Sequence, residues 1–427
     1  MTATYHRLAH AIAIGTLTLL AVWVIAQPAR PSHAAMVQAT PLPLDRWQRH
    51  LIDENRPWRA LFITAADIDG DQLLDLVTGG WWYKQPPTLA GTWSRSTIGA
   101  PLNNMATVFD FDGDGDADLL GTDHIDDWTN FVANDVPFTW AQNDGQGQFT
   151  LLHNVANGYG NFLQGIAVQQ FQENGPQQVA LSWQNAAEEV GIQMLTVPTD
   201  TATAPWPWQR ISPTAQGEAL SAGDIDRDGD ADLLLGTRWL ENTGSVWLDH
   251  TLYATTKEVD RNRLADINND GRLDAVVGYQ AANKVGKLAW YEQGTTATVG
   301  WTEHVVAQLI GPMSLDVADM DGDGDLDLIV GEHNTANPQT ARLYIFENED
   351  GNGTTWIEYT VYTGDEHHDG AQVVDLDGDG DLDIISIGWS HSKVLFYENQ
   401  AIGETTTPTA TSTASLPTTP TPTPTLT

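Results

Sequence analysis

No cysteine occurs anywhere in the 427 residues, which excludes disulfide bridges and thiol chemistry at once. Basic residues are scarce: 19 lysines and arginines face 57 aspartates and glutamates, a formal net charge of −38. So acidic a chain repels nucleic acid and anionic lipid and draws cations, and no nucleic-acid partner is expected. Long apolar runs are missing from all but the N-terminus. There, Ala11 to Ala26 makes 16 residues, short of the roughly 18 that a spanning helix needs. No nucleophile motif, no His-rich zinc signature and no phosphate loop is present.

The N-terminal run reads as an export signal. Arg7 precedes it, Pro28 and Pro31 break it, and Ser32-His33-Ala34 offers small residues for cleavage before Ala35. Residues 1–34 are therefore expected to be a signal peptide and 35–41 a short leader, with an uncleaved anchor as the alternative. Cleavage predicts a secreted or cell-surface protein with no membrane span. It would remove Arg7 and Arg30 and no acid, leaving a balance of −40. An exported chain without disulfides needs another staple, and metal ions are the obvious one. At the far end, residues 401–427 are nearly all Thr, Pro, Ser and Ala, a composition that predicts a disordered, polyproline-like spacer.

What is abundant between these ends is one motif. Asp110-Phe-Asp112-Gly-Asp114-Gly-Asp116-Ala-Asp118 runs into Leu119-Leu120-Gly121. The same loop returns at Asp319, Asp321, Asp323 and Asp327, at Asp375, Asp377, Asp379 and Asp383, and at Asp224, Asp226, Asp228 and Asp232. Two copies are looser: Asp67, Asp69, Asp71 and Asp75, and Asp266, Asn268, Asp270 and Asp274. Starts at 67, 110, 224, 266, 319 and 375 are 42 to 56 residues apart except for one gap of 114. A degraded copy fills that gap, with Gln170, Gln172, Asn174 and Gln178 standing where the others have carboxylates. Seven units at this period indicate propeller blades.

Each unit continues alike. A β-branched or leucine-rich run follows the loop, then an aromatic strand ending in Glu-Asn or its like (Trp239 to Asn242, Phe396 to Asn399). A fourth strand opens on Trp247, Trp301 or Trp356. Short aromatic or β-branched runs bounded by Gly, Asn and Asp are strands, and four of them make a blade. The last unit lacks its Trp strand, whereas Trp47-Gln-Arg-His50 stands alone near the start. The expected fold is thus all-β: a seven-bladed propeller of four-stranded antiparallel blades over 42–400, closed by the N-terminal strand completing the last blade.

Calcium takes 6–8 oxygen ligands, and carboxylates at loop places one, three, five and nine, with a carbonyl from place seven, can fold around one ion. Glycine at place six (Gly115, Gly229, Gly271, Gly324, Gly380) allows the sharp turn. A helical EF-hand would need an acid at place twelve, where Thr78, Gly121, Leu235, Val277, Val330 and Ser386 stand instead. Up to six calcium ions are expected. The loops at 67 and 266 fit least well, because Gln72 replaces the glycine in one and Asn268 a carboxylate in the other.

These residues resemble the FG-GAP and VCBS repeat family, which includes the propeller of integrin α chains and many secreted bacterial proteins. The resemblance covers about 42–400. It implies a seven-bladed propeller with calcium between the first two strands of a blade, and no single activity, since relatives include adhesion receptors, lectins and propeller domains of carbohydrate-active enzymes.

The Asp loops join the first and second strands, so the second-to-third and fourth-to-first connections emerge on the opposite face. That face is expected to carry Trp81, Trp82, His124, Trp128, Trp183, Arg238, Trp239, His333, Trp389 and His391, with Trp58, Arg59, Arg261, Arg263, Glu366, His367 and His368. Aromatic planes beside Arg, His and carboxylates suit sugar rings. Trp81, Trp183 and Trp239 have blade packing as an equal alternative, and the recurring His50, His250 and His304 read as structural. Arg238, His333, His367, His368, Trp389, His391, Trp82 and His124 remain as candidate ligand residues. The leading expectation is an extracellular binding module for a glycan or protein. The alternative is a carbohydrate-active enzyme of lyase or dehydratase type at the channel mouth.

Overall fold

A computed structural model describes residues 40–57, 60–123, 132–184, 187–216, 218–368 and 370–402. The expected signal peptide, most of the expected leader and 403–427 of the expected spacer lie outside the described residues, as do Trp58, Arg59, His124, Trp128 and Asp369. Among the described residues no helix is long and apolar enough to cross a membrane.

Seven four-stranded antiparallel sheets follow one another along the chain as blades of a propeller. The first six span 63–97, 104–152, 163–212, 221–251, 259–310 and 312–363. The seventh takes Gln372–Val374, Asp383–Ile387 and Val394–Asn399 and borrows Trp47–Asp53 as its outer strand. That strand pairs Trp47 with Asn399 and His50 with Phe396. Closure by the N-terminal strand follows directly from the unit that lacked its Trp. A two-stranded ribbon, Asn134–Val136 with Gly158–Gly160, is added beside the second blade. Its glycines lie against the Trp183 ring, where a Cβ would stand 2.1–2.5 Å from ring atoms.

The second strand of each Asp-bearing blade starts at the last aspartate of its loop and is buried throughout, as in Asp75–Thr78, Asp274–Tyr279 and Asp383–Ile387. Leucine and β-branched residues there are covered on both faces by neighbouring blades, which is why these runs do not alternate. The outer strands are only partly covered instead, as in Thr302–Ile310, where exposed and half-buried residues mix because one side meets water.

Seven apolar clusters fill the structure, and each lies between adjacent blades. One of them sets Leu76, Trp81 and Tyr83 of the first blade against Ile385 and Phe396 of the seventh, sealing the ring. The recurring Trp that opens the outer strand braces the turn before it. The Trp47, Trp301 and Trp356 indole N–H groups donate to the carbonyls of Leu44, Ala297 and Gly353 at 2.9, 2.6 and 3.0 Å.

Candidate functional site

Two sites face opposite ways along the propeller. The first is the set of Asp loops. In the loops at 110 and 319 the place-one aspartate accepts backbone N–H bonds from places four and six: Gly113 and Gly115 donate to Asp110, and Gly322 and Gly324 to Asp319. Place six is strongly left-handed, with φ of +98° at Gly115 and +100° at Gly324, so glycine belongs there. Gln72 takes that place in the first loop at φ +71°, a strained conformation for a residue with a Cβ.

The place-nine aspartate is a bracket. Asp118 receives the N–H of Phe111 on one oxygen and that of Asn143 on the other, at 3.1 and 2.8 Å. Asp75, Asp232, Asp274, Asp327 and Asp383 do the same in their blades. Burial, partly opposed by those N–H bonds, pushes the carboxyls of Asp75, Asp118, Asp232 and Asp274 up to about 7 and those of Asp327 and Asp383 to about 8.

Carboxylate oxygens of Asp110, Asp112 and Asp118 lie within 4.8 Å of one another, as do those of Asp224, Asp226 and Asp232, of Asp319, Asp321 and Asp327, and of Asp67, Asp69 and Asp71. All-oxygen donors converging in this way fit a calcium ion, whose double charge would offset their mutual repulsion. The degraded third loop needs no such charge, since its amides donate to backbone: Gln170 Nε2 to the Gly175 carbonyl at 2.6 Å and Gln172 Nε2 to that of Gly244 at 3.0 Å.

The Glu-Asn ending has two jobs that the linear repeat did not disclose. In the second, fourth, fifth and sixth blades its Asn or Gln donates its N–H to the place-nine aspartate of its own blade and its side-chain amide to the loop of the preceding blade. Asn143, Asn242, Gln293 and Asn348 reach the carbonyls of Ile68, Phe171, Ile225 and Ile267 at 2.5–2.9 Å. Its Glu pairs with the recurring histidine of the outer strand: Glu398 with His50 at 2.5 Å, Glu241 with His250 at 2.6 Å and Glu292 with His304 at 3.0 Å. In the first blade Lys84 stands where the Glu would be, and its ammonium pairs with Asp69 and, at 2.6 Å, with Asp71.

The second site is a cavity of about 190 Å³ on the face away from the Asp loops, lined by residues of the third to seventh blades and their connections. His333, His368 and Trp389 line it together with Phe162, Met313, Glu218 and three glutamines, Gln164, Gln184 and Gln280. The His333 and His368 rings lie 4.4 Å apart, and His368 meets Trp389 edge-on at 5.5 Å. His333 Nδ1 pairs with Glu366, which also accepts the Ser390 N–H and hydroxyl, both at 2.9 Å. Burial alone would raise the Glu366 carboxyl, but the His333 hydrogen bond and charge outweigh it and hold it down at about 2.

Other expected ligand residues lie elsewhere. Trp82 sits in the strand Trp81–Lys84, buried between the first two blades with its ring against Gly147, so packing has taken it. Trp183 and Trp239 are likewise fully buried. Arg238 is held by Asp249 of its neighbouring strand, Nε to Oδ1 at 3.0 Å. His367 is sealed in the interior against Ser386, and burial lowers it to about 4. His391 accepts the Lys393 N–H at Nδ1, so Nε2 carries the proton and donates to the Glu366 carbonyl at 3.0 Å. Glu218 and the three glutamines went unrecognised because they belong to no repeat, and non-repetition marks a residue only when its type already draws the eye.

Models of the FG-GAP-like repeat match residues 266–330 and 334–386, and the FG-GAP repeat matches 216–249. No curated protein matches the chain. Among solved structures it is similar to the exotype rhamnogalacturonan lyase YesX at 14% identity, with 87% of this chain and 75% of that one covered and a TM-score of 0.47. It is also similar to the Bacillus licheniformis rhamnogalacturonan lyase PL11 (12%, 83% and 72%, 0.42) and to the V. cholerae biofilm matrix protein Bap1 (12%, 85% and 88%, 0.43). Nothing about activity follows from likenesses of that size. The repeat matches fall within the seven blades, so this chain is a β-propeller that carries FG-GAP and FG-GAP-like repeats.

Proposed function

We propose that the protein is an extracellular binding module, stabilised by up to six calcium ions in its Asp loops, that takes a glycan in the cavity of His333, His368 and Trp389. The observation that carries this reading is the make-up of that cavity. Aromatic and thioether surfaces face amides, imidazoles and a carboxylate within one concave site, the mixture that a sugar ring needs for stacking and directional hydrogen bonds. The residues come from separate blades and stand outside the repeat, so blade architecture does not account for them. The acidic clusters support calcium, and export without disulfides gives such ions a stapling role.

A glycan array probed with the calcium-loaded protein tests the reading. Hits should be lost on Trp389→Ala and weakened on Gln280→Ala, with the melting temperature unchanged. Hits that survive both changes would place the ligand elsewhere.

A second reading, a carbohydrate-active enzyme of lyase or dehydratase type, draws on one feature. Glu366 orients the His333 ring within the cavity, as a carboxylate orients a catalytic base. Mass analysis of each array hit after incubation separates the two: unchanged glycans support binding, whereas a product that disappears with His333→Ala supports catalysis.

A further inference from the structure

Three residues outside the Asp loops bring a different kind of donor set together. Glu218 lies in the connection entering the fourth blade, Asp260 in the strand Val259–Ala265 of the fifth, and His368 in the connection entering the seventh. All three are buried, and one donor atom of each lies within 4.8 Å of the others. Arg261 donates from Nη1 to Asp260 Oδ1 at 2.7 Å and stands 3.5 Å from Glu218 Oε2, so two carboxylates share one guanidinium. The remaining oxygen, Asp260 Oδ2, is fully buried and has no hydrogen-bond partner among the described residues. A buried carboxylate oxygen left in that condition is costly, and coordination to a cation removes the cost.

We infer that Glu218, Asp260 and His368 hold one divalent transition-metal ion, with an open coordination position toward the adjoining cavity. The chemistry differs from that of the loops. Those offer only oxygen, which suits calcium, whereas an imidazole with two carboxylates suits zinc and its neighbours. Ligand distances of about 2.0–2.2 Å put two donors of one ion roughly 3–4 Å apart, which small side-chain rotations reach from the observed spacing. Three protein ligands leave a fourth position open, the arrangement of a site that receives a ligand rather than a purely structural one. Glu218 and His368 also line the cavity, so that position faces it. The inference does not depend on the glycan reading, because the ion is held by protein groups alone.

The test is a calorimetric titration of zinc into the full chain held in excess calcium, with no glycan present. One equivalent should bind. His368→Gln and Asp260→Asn should each weaken that equivalent at least tenfold, and His250→Gln should leave it intact. Cobalt in place of zinc should give visible absorption bands that His368→Gln shifts, a readout that mere loss of stability would not produce. If one variant does not fold in calcium, the other carries the comparison. Absence of zinc binding, or one equivalent that both variants retain, would overturn the inference while leaving the glycan reading untouched. An array without hits would leave the metal result standing.

Discussion

Arg49 and Asp365 are separated by 316 residues of chain, yet the guanidinium Nε donates to the carboxylate Oδ2 at 2.5 Å. Asp365 is almost wholly buried and also accepts from Lys393 Nζ at 2.6 Å and the Tyr397 hydroxyl at 3.0 Å. One carboxylate therefore ties the N-terminal strand to two other parts of the seventh blade. Despite burial, which would raise it, the Asp365 carboxyl is held well below its ordinary range by Arg49 and Lys393.

The clasp has a pH signature. A carboxyl whose folded value is depressed stabilises the fold above its unfolded value, about 4, and loses that contribution as pH falls from there. Asp365→Asn should cost about 2–3 kcal/mol in urea unfolding at neutral pH, the scale of hydrogen bonds to a charged group. The gap between native and variant should then narrow below about pH 4. A gap that stays constant down to pH 3 would show that Asp365 is not the titrating clasp.

Removing residues 40–53 deletes the outer strand of the seventh blade and exposes the edge of Val394–Asn399. Unpaired edges recruit other chains, so the deletion should give aggregation or a large fall in melting temperature. Removing 403–427, whose Thr/Pro-rich composition cannot bury a core, should leave the melting curve in place. Equal tolerance of both deletions would contradict closure by the N-terminal strand.

Asn348 stitches the sixth blade to the fifth through the Ile267 carbonyl at 2.9 Å and is buried. Asn348→Ala strands that carbonyl and should cost about 1–3 kcal/mol by denaturant titration. Asn352→Ala, at an exposed turn, serves as the comparison and should be nearly neutral.

If the Asp loops hold calcium, a chelator should lower the melting temperature by many degrees, because an ion that binds only the folded state stabilises it by mass action. Asp321→Ala should remove one equivalent of calcium, whereas Gln172→Ala in the amide loop should remove none. The first loop is the discriminating case, since Lys84 already sets an ammonium between Asp69 and Asp71. Lys84→Glu restores the residue found at that place in the last four blades and should tighten calcium binding at 67–75 in calorimetry. Unchanged calcium binding in this variant would mean that Lys84 does not compete with the ion.

The linear sequence determined the architecture because a propeller is a local fold repeated. Loop spacing, strand composition and the misplaced Trp47 strand are properties of neighbouring residues, so they carried blade number, strand order and closure. What the Glu-Asn ending is for came only with the tertiary structure, since the Asn348 amide reaches a blade 81 residues earlier. Packing between blades also decided that Trp82 is core, although its spacing placed it in an exposed connection, and that Trp183 is core, which the spacing had left open. Glu218, Asp260 and His368 lie on no common period, and only the closed ring brings them within 4.8 Å. Repetition writes the scaffold into the sequence in plain view, whereas a site assembled across the mouth of the ring belongs to the geometry of closure.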